Sequence, residues 1–251
     1  MHEQFDKKKG GRAALAALIL VVAAAVAAVM LRPEETTPQP VGKPVQTPAA
    51  STESTVPLTL PEIETEPRIN LGYGLEITDS GKYSGLYMED GGDELLSDVM
   101  MVIVRNNGEQ DVQLADFTVS ADGGEYRFRL TNLAAGERAV LLDLDRKPSG
   151  GTVSSAAVEN VALFAEPMAL CEDRISVSGM DGMLNVQNIS GEDITGDIYV
   201  YYKYAAQDLY YGGITFRVRV EGGLKAGEIR QIPAGHYSAE GCAIVQVMIY
   251  D

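Results

Sequence analysis

Residues 104–112, Val-Arg-Asn-Asn-Gly-Glu-Gln-Asp-Val, lie over residues 186–194, Val-Gln-Asn-Ile-Ser-Gly-Glu-Asp-Ile, without a gap. Valine, asparagine, aspartate and a closing β-branched residue coincide. Further on, Leu133-Ala134-Ala135-Gly136-Glu137 returns as Leu224-Lys225-Ala226-Gly227-Glu228, displaced by a longer hairpin in the second copy. Two tandem copies of one structural unit account for both matches, and each copy must then bury a core of its own. The boundary between them is expected near Glu166-Pro167, where a proline ends the last strand of the first copy.

The unit reads as β-structure. After Arg68 the chain consists of short apolar stretches separated by Gly, Asn and Asp, without a long helical period. Residues 100–104, 116–120, 126–130, 139–144, 174–178, 198–204, 214–220 and 243–250 are expected to be strands. In Tyr126-Arg127-Phe128-Arg129-Leu130 and in residues 214–220, polar side chains take every second place, as a strand with one face in water requires. Asn106-Asn107-Gly108 and Asp122-Gly123-Gly124 supply turns, because these residues adopt positive φ at little cost. The predicted class is all-β.

Residues 13–31, AALAALILVVAAAVAAVML, contain no charge, proline or glycine. At helical rise they reach roughly 28 Å, enough to cross a hydrocarbon core once. Lys7, Lys8, Lys9 and Arg12 precede the run, which predicts a cytoplasmic N-terminus and an extracytoplasmic remainder. The run is longer than the apolar centre of a cleaved signal peptide, so it is expected to stay as a signal anchor. From Arg32 to Pro67 the composition changes: eight of the eleven prolines fall here among Thr, Ser, Gln and Glu, which predicts a disordered, extended linker. The expected organisation is a cytoplasmic tail 1–12, a transmembrane helix 13–31, a linker 32–67, and β-sandwich domains at 68–166 and 167–251.

Charge and composition exclude several functions. Formal net charge is −16, and from residue 68 onward 28 acidic side chains face 14 basic ones. Such a surface repels phosphate backbones and argues against nucleic-acid binding. The chain has two histidines, His2 and His236, and Ser238 lies too near His236 in sequence to serve as its nucleophile. One extracytoplasmic histidine and two distant cysteines do not make a zinc set, and no glycine-rich phosphate loop precedes a helix. No catalytic residue, metal or cofactor is predicted. The acidic run Glu89-Asp90-Gly91-Gly92-Asp93-Glu94 is read as a solvated turn, with calcium binding as the alternative. Asn188-Ile189-Ser190 matches a glycosylation sequon.

A strand ending Val-x-Asn, a polar turn, a hairpin, and Leu-x-Ala-Gly-Glu before a further strand resemble the FxLYD-type domain. That family is an immunoglobulin-like sandwich of bacterial surface proteins and lipoproteins. The likeness covers most of residues 174–251 and, more loosely, 97–145; where the family's signature string would fall, this chain has Tyr202-Lys203-Tyr204-Ala205-Ala206. The resemblance implies two tandem immunoglobulin-like sandwiches, extracytoplasmic placement and binding roles, and it transfers no catalytic residues. In such sandwiches part of the first strand runs beside the last, which would bring Cys171 near Cys242. Either a disulfide or two buried thiols fits the sequence.

Tyrosines crowd one strand and hairpin of the second copy, at 199, 201, 202, 204, 210 and 211. Neighbours in a strand point to opposite faces, so not all can be buried. Tyr202, Tyr204, Tyr210 and Tyr211 are therefore the expected recognition surface for a protein or glycan partner at the cell envelope, with packing against the other domain as the alternative.

Overall fold

The computed structural model describes residues 61–65, 68–122 and 124–250, which belong to one compact unit. The predicted membrane span at 13–31 and most of the predicted linker lie outside these residues. Among the described residues no helix is long and apolar enough to cross a membrane. The chain there is all-β, with fourteen strands. They are β1 (Glu62–Thr65), β2 (Ile69–Gly72), β3 (Leu75–Leu86), β4 (Leu95–Asn106), β5 (Val112–Ala121), β6 (Gly124–Leu133), β7 (Arg138–Leu142), β8 (Val153–Leu163), β9 (Ile175–Met180), β10 (Met183–Asn188), β11 (Asp197–Ala206), β12 (Leu209–Val220), β13 (Ile229–Pro233) and β14 (Cys242–Tyr250).

The repeat seen in the sequence recurs in the topology. In the first copy β3, β4 and β7 lie side by side, and β6, β5 and β8 form the second layer. In the second copy β9, β10 and β13 take the first order, and β12, β11 and β14 the second. Register agrees residue by residue: Met101 opposes Leu142 as Met183 opposes Pro233, and Val104 opposes Ala139 as Val186 opposes Arg230.

The shared asparagine explains why the short motif persists. Asn106 is fully buried; its Nδ2 donates to Gln110 O and Leu133 O, and its Oδ1 accepts from Gly108 N. Asn188 repeats the arrangement, donating to Glu192 O and Leu224 O and accepting from Ser190 N. The aspartates close the same turn, Asp111 on Ala135 N and Asp193 on Ala226 N. Each side chain satisfies backbone groups that a buried turn would otherwise leave unpaired.

Each copy has its own core. Phe117, Phe128, Leu130, Val102 and Leu141 are among the residues filling the first; Leu184, Val186, Val200, Tyr202 and Val220 are among those filling the second. The copies are joined where β7 pairs in parallel with β12, Tyr210 beside Ala139 and Tyr211 beside Val140. This pairing fuses β3-β4-β7 and β12-β11-β14 into one eight-stranded sheet with β1 and β2. A third apolar cluster, including Tyr83, Met88, Met101, Ile103, Val140, Leu142 and Tyr211, fills the seam. Residues of β4 and β7 thus alternate between two cores, Met100 and Leu141 into the first and Met101 and Leu142 into the seam, which is why both strands are apolar on both faces.

Candidate functional site

The tyrosine hairpin of the second copy is built into the seam. Tyr202 is 2% and Tyr211 1% exposed, so neither presents a ring to a partner. Tyr202 stacks on Phe216 at 5.4 Å and meets Tyr237 edge-on; Tyr204 packs edge-on against Phe216 and beside the seam cluster. Tyr210 lies half-buried against the first core. The physical reason is the pairing of β12 with β7, which places Tyr210 and Tyr211 in the middle of a sheet rather than on a hairpin tip. Tyr202 and Tyr211 thus pack inside the protein, while Tyr204 and Tyr210 keep part of their surface in solvent. The Tyr83 and Tyr211 hydroxyls are buried without a hydrogen-bond partner, and burial, with Tyr211 nearby, pushes the Tyr83 phenol up to about 12.

At the seam lie an acid and a base that the sequence reading did not single out as a pair. Glu89 turns inward from the β3–β4 connection and its carboxylate accepts from Leu142 N at 2.9 Å and from Gly213 N at 2.7 and 2.9 Å, with Ile214 N at 3.3 Å. It bridges the place where the short β7–β12 pairing ends, standing in for the missing strand carbonyls. Lys203 has no exposed surface and donates from Nζ to Gly212 O at 3.4 Å, Gly213 O at 3.0 Å and Ile214 O at 2.9 Å. The same backbone stretch is held at its N–H groups by the carboxylate and at its carbonyls by the ammonium. Burial raises the Glu89 carboxyl above the ordinary carboxylate range, opposed by these backbone donors and by Lys203. Burial lowers Lys203 to about 7, opposed by Glu89. Both side chains have their hydrogen-bonding capacity filled in the ionised form, which is the geometry that makes a buried pair tolerable.

Gly213 has no room for a side chain. A Cβ there would collide with Arg129 O of β6, and Thr131 and Thr215 meet alongside at 2.9 Å. Asn132 Nδ2 donates to Gln246 Oε1 at 2.8 Å across the same junction. The rest of the acidic run follows Glu89: Asp90 and Glu94 both pair with Arg146, and Gly91 sits against Phe216 and His236. The run is a strap across the seam. His236 stacks on Phe216 at 4.9 Å. Among the described residues, no three His, Cys, Asp or Glu side chains converge as a metal site.

The disulfide that the sequence permits is not formed: both cysteines are free. Cys171 donates to Val247 O, whereas Cys242 begins β14 and accepts from Ser238 N. Val247 lies five residues along β14 from Cys242, roughly 16 Å at strand rise. That is well beyond the reach of a disulfide. Burial raises both thiols, Cys242 to about 11. Asn188, the sequon asparagine, is wholly buried in its turn.

An open place remains in the second copy. Leu170, Ile175, Val177, Ile189, Ile244 and Val247 line a groove of about 370 Å³ between β9 and β14. Leu170 and Ile189 are 38% and 48% exposed at its rim, and Glu172 adds a carboxylate. Among the described residues, no strand pairs with the outer side of β9. Sequence reasoning missed this groove because it depends on what does not cover β9, and its apolar residues read as ordinary core. Compared with models of protein families, with curated proteins and with solved structures, the chain matches none.

Proposed function

We propose that this chain is a single-pass protein of the bacterial cell membrane, N-terminus inside, which displays two FxLYD-like immunoglobulin-type sandwiches on a linker and acts by binding, without catalysis. One observation carries the binding reading: a groove with exposed leucine and isoleucine at its rim and Glu172 and Ser176 in its lining, beside a strand whose outer edge pairs with no strand among the described residues. A concave site of this volume, with apolar side chains and a few polar groups, is where proteins receive ligands. The apolar run at 13–31 and the Lys7, Lys8, Lys9 and Arg12 that precede it support an extracytoplasmic setting.

The test places a photoreactive residue at Ile189 in the full-length protein on intact cells. A discrete adduct is expected, its yield falling at least about tenfold on Ile244→Asp. No adduct, or one indifferent to that substitution, would contradict the reading. A second reading, a stiff envelope spacer, is favoured by the sheet that runs unbroken through both copies. A spacer would ignore Ile244→Asp and fail only when the seam is opened.

A further inference from the structure

The two copies differ at one edge, and the difference points to a class of partner. In the first copy, β2 pairs antiparallel with β3, Ile69 opposite Ile77, and β1 pairs with β3 further along. Leu71 is buried in the first core and Ile69 packs against it. The register that matches β3 to β9 sets Leu75 on Ile175 and Ile77 on Val177, since they oppose Asn106 and Val104 in one copy and Asn188 and Val186 in the other. Counting back, Leu71 becomes Cys171 and Ile69 becomes Ala169. Two large apolar side chains are thereby replaced by small ones, and the segment itself is turned toward β14, where Val247 N donates to Ala169 O. The groove is the space so vacated.

The backbone of β9 is left ready to pair. Ile189 N donates to Arg174 O, so Ile175 and Asn188 form a non-hydrogen-bonded pair. By alternation the N–H and C=O of Val177 and Gly179 point away from β10, toward the open side. Charge selects what can approach. Glu172 and Asp173 precede β9, Asp181 follows it, and all three are exposed; Arg174 is the single basic residue in that stretch and is half-buried.

We propose that the outer edge of β9 receives an extended peptide as an added antiparallel strand, its alternate apolar side chains entering the groove and its cationic ends meeting Glu172, Asp173 and Asp181. This rests on the binding reading above and names its partner class. A second copy does not fit: pairing β9 with its own equivalent brings Glu172 and Asp173 opposite Asp181, like charge on like. The chain's own linker does not fit either. Its longest proline-free stretch between Arg32 and Pro61, residues 49–56, holds Glu53 and no lysine or arginine. Main-chain pairing supplies affinity in this mode and the alternate pockets supply selectivity.

The probe is the synthetic peptide Lys-Val-Thr-Ile-Thr-Val-Lys, added to the full chain. Binding is read by fluorescence anisotropy, and pairing by amide exchange at Val177 and Gly179. Binding is expected, with both amides slowed; N-methylation of alternate peptide amides should weaken it at least about tenfold, and glutamate in place of the terminal lysines should weaken it in low salt. Leu170→Asp should weaken it without altering the fold. Equal binding of the N-methylated peptide would overturn strand addition while leaving the binding reading intact. So would no binding of any probe alongside a persisting adduct at Ile189. Protection of Val177 in the free protein, accompanied by self-association in sedimentation, would assign the edge to a second copy and overturn the proposal.

Discussion

Strands β7 and β13 occupy the same position in the two copies, yet one is Arg-Ala-Val-Leu-Leu and the other Ile-Arg-Gln-Ile-Pro. Val140 corresponds to Gln231, Leu142 to Pro233, and on the neighbouring strand Ile103 corresponds to Asn185. The inner faces are alike because each copy must fill a core. The outer faces differ because only the first is covered by the seam, while the second faces water. Pro233 also withdraws an N–H from a strand whose far side pairs with nothing among the described residues, a common protection for a free edge. The same scaffold thus has one edge built for permanent pairing, one edge closed to it, and, on β9, one edge left open.

The comparison breaks most readily at the seam. Lys203→Met removes the cation from a buried carboxylate and three donors from buried carbonyls; urea unfolding should show a loss of about 3–5 kcal/mol. A loss below about 1 kcal/mol would mean that the pair does not hold the copies together. Exchanging the outer faces sharpens the contrast. Val140→Gln buries an unpaired amide and should cost about 2–4 kcal/mol, whereas Gln231→Val should stay within about 0.5 kcal/mol. Equal effects would show that the two edges are not in different surroundings.

The turn asparagines should behave alike. Asn106→Ala and Asn188→Ala each leave two backbone carbonyls and one N–H without their partner, and each should cost about 1–3 kcal/mol by the same unfolding measurement. A difference greater than about 2 kcal/mol between them would undermine the equivalence of the copies.

The Glu89–Lys203 pair sets a pH dependence. Burial holds Lys203 near 7, below its unfolded value, so above that pH the unfolded chain binds more protons and stability rises with pH. Glu89 is held above its unfolded value, so its contribution falls as pH rises from the ordinary carboxylate range through its folded value. In Glu89→Gln only the lysine effect remains. Stability of that variant should climb between pH 7 and about 10, by less than about 1.4 kcal/mol per pH unit, and more steeply than in the parent protein.

The repeat, the all-β class and eight of the strands were legible because they depend on local pattern: alternation in Tyr126–Leu130, the asparagine turns, the paired Leu-x-Ala-Gly-Glu strings. Strands β1, β2, β3, β8, β10 and β13 lay outside those eight, β1 within the expected linker, since short or partly polar sequences acquire their structure from neighbours. The burial of Tyr211 was illegible for the same reason. Tyr210 and Tyr211 look like a hairpin surface until β7 lies beside them, and that pairing joins residues about seventy positions apart with no shared motif. Glu89 was read as one charge of an acidic run because its backbone partners, Leu142 and Gly213, carry no sequence signal; any residue but proline offers an N–H.

The contrast between a covered and an open edge reduces to two amides. By register, Ile77 N–H points toward β2 and Val177 N–H toward the groove. Residue-resolved hydrogen exchange of the free protein should find Ile77 strongly protected and Val177 exchanging orders of magnitude faster. Similar protection at both positions would contradict the account.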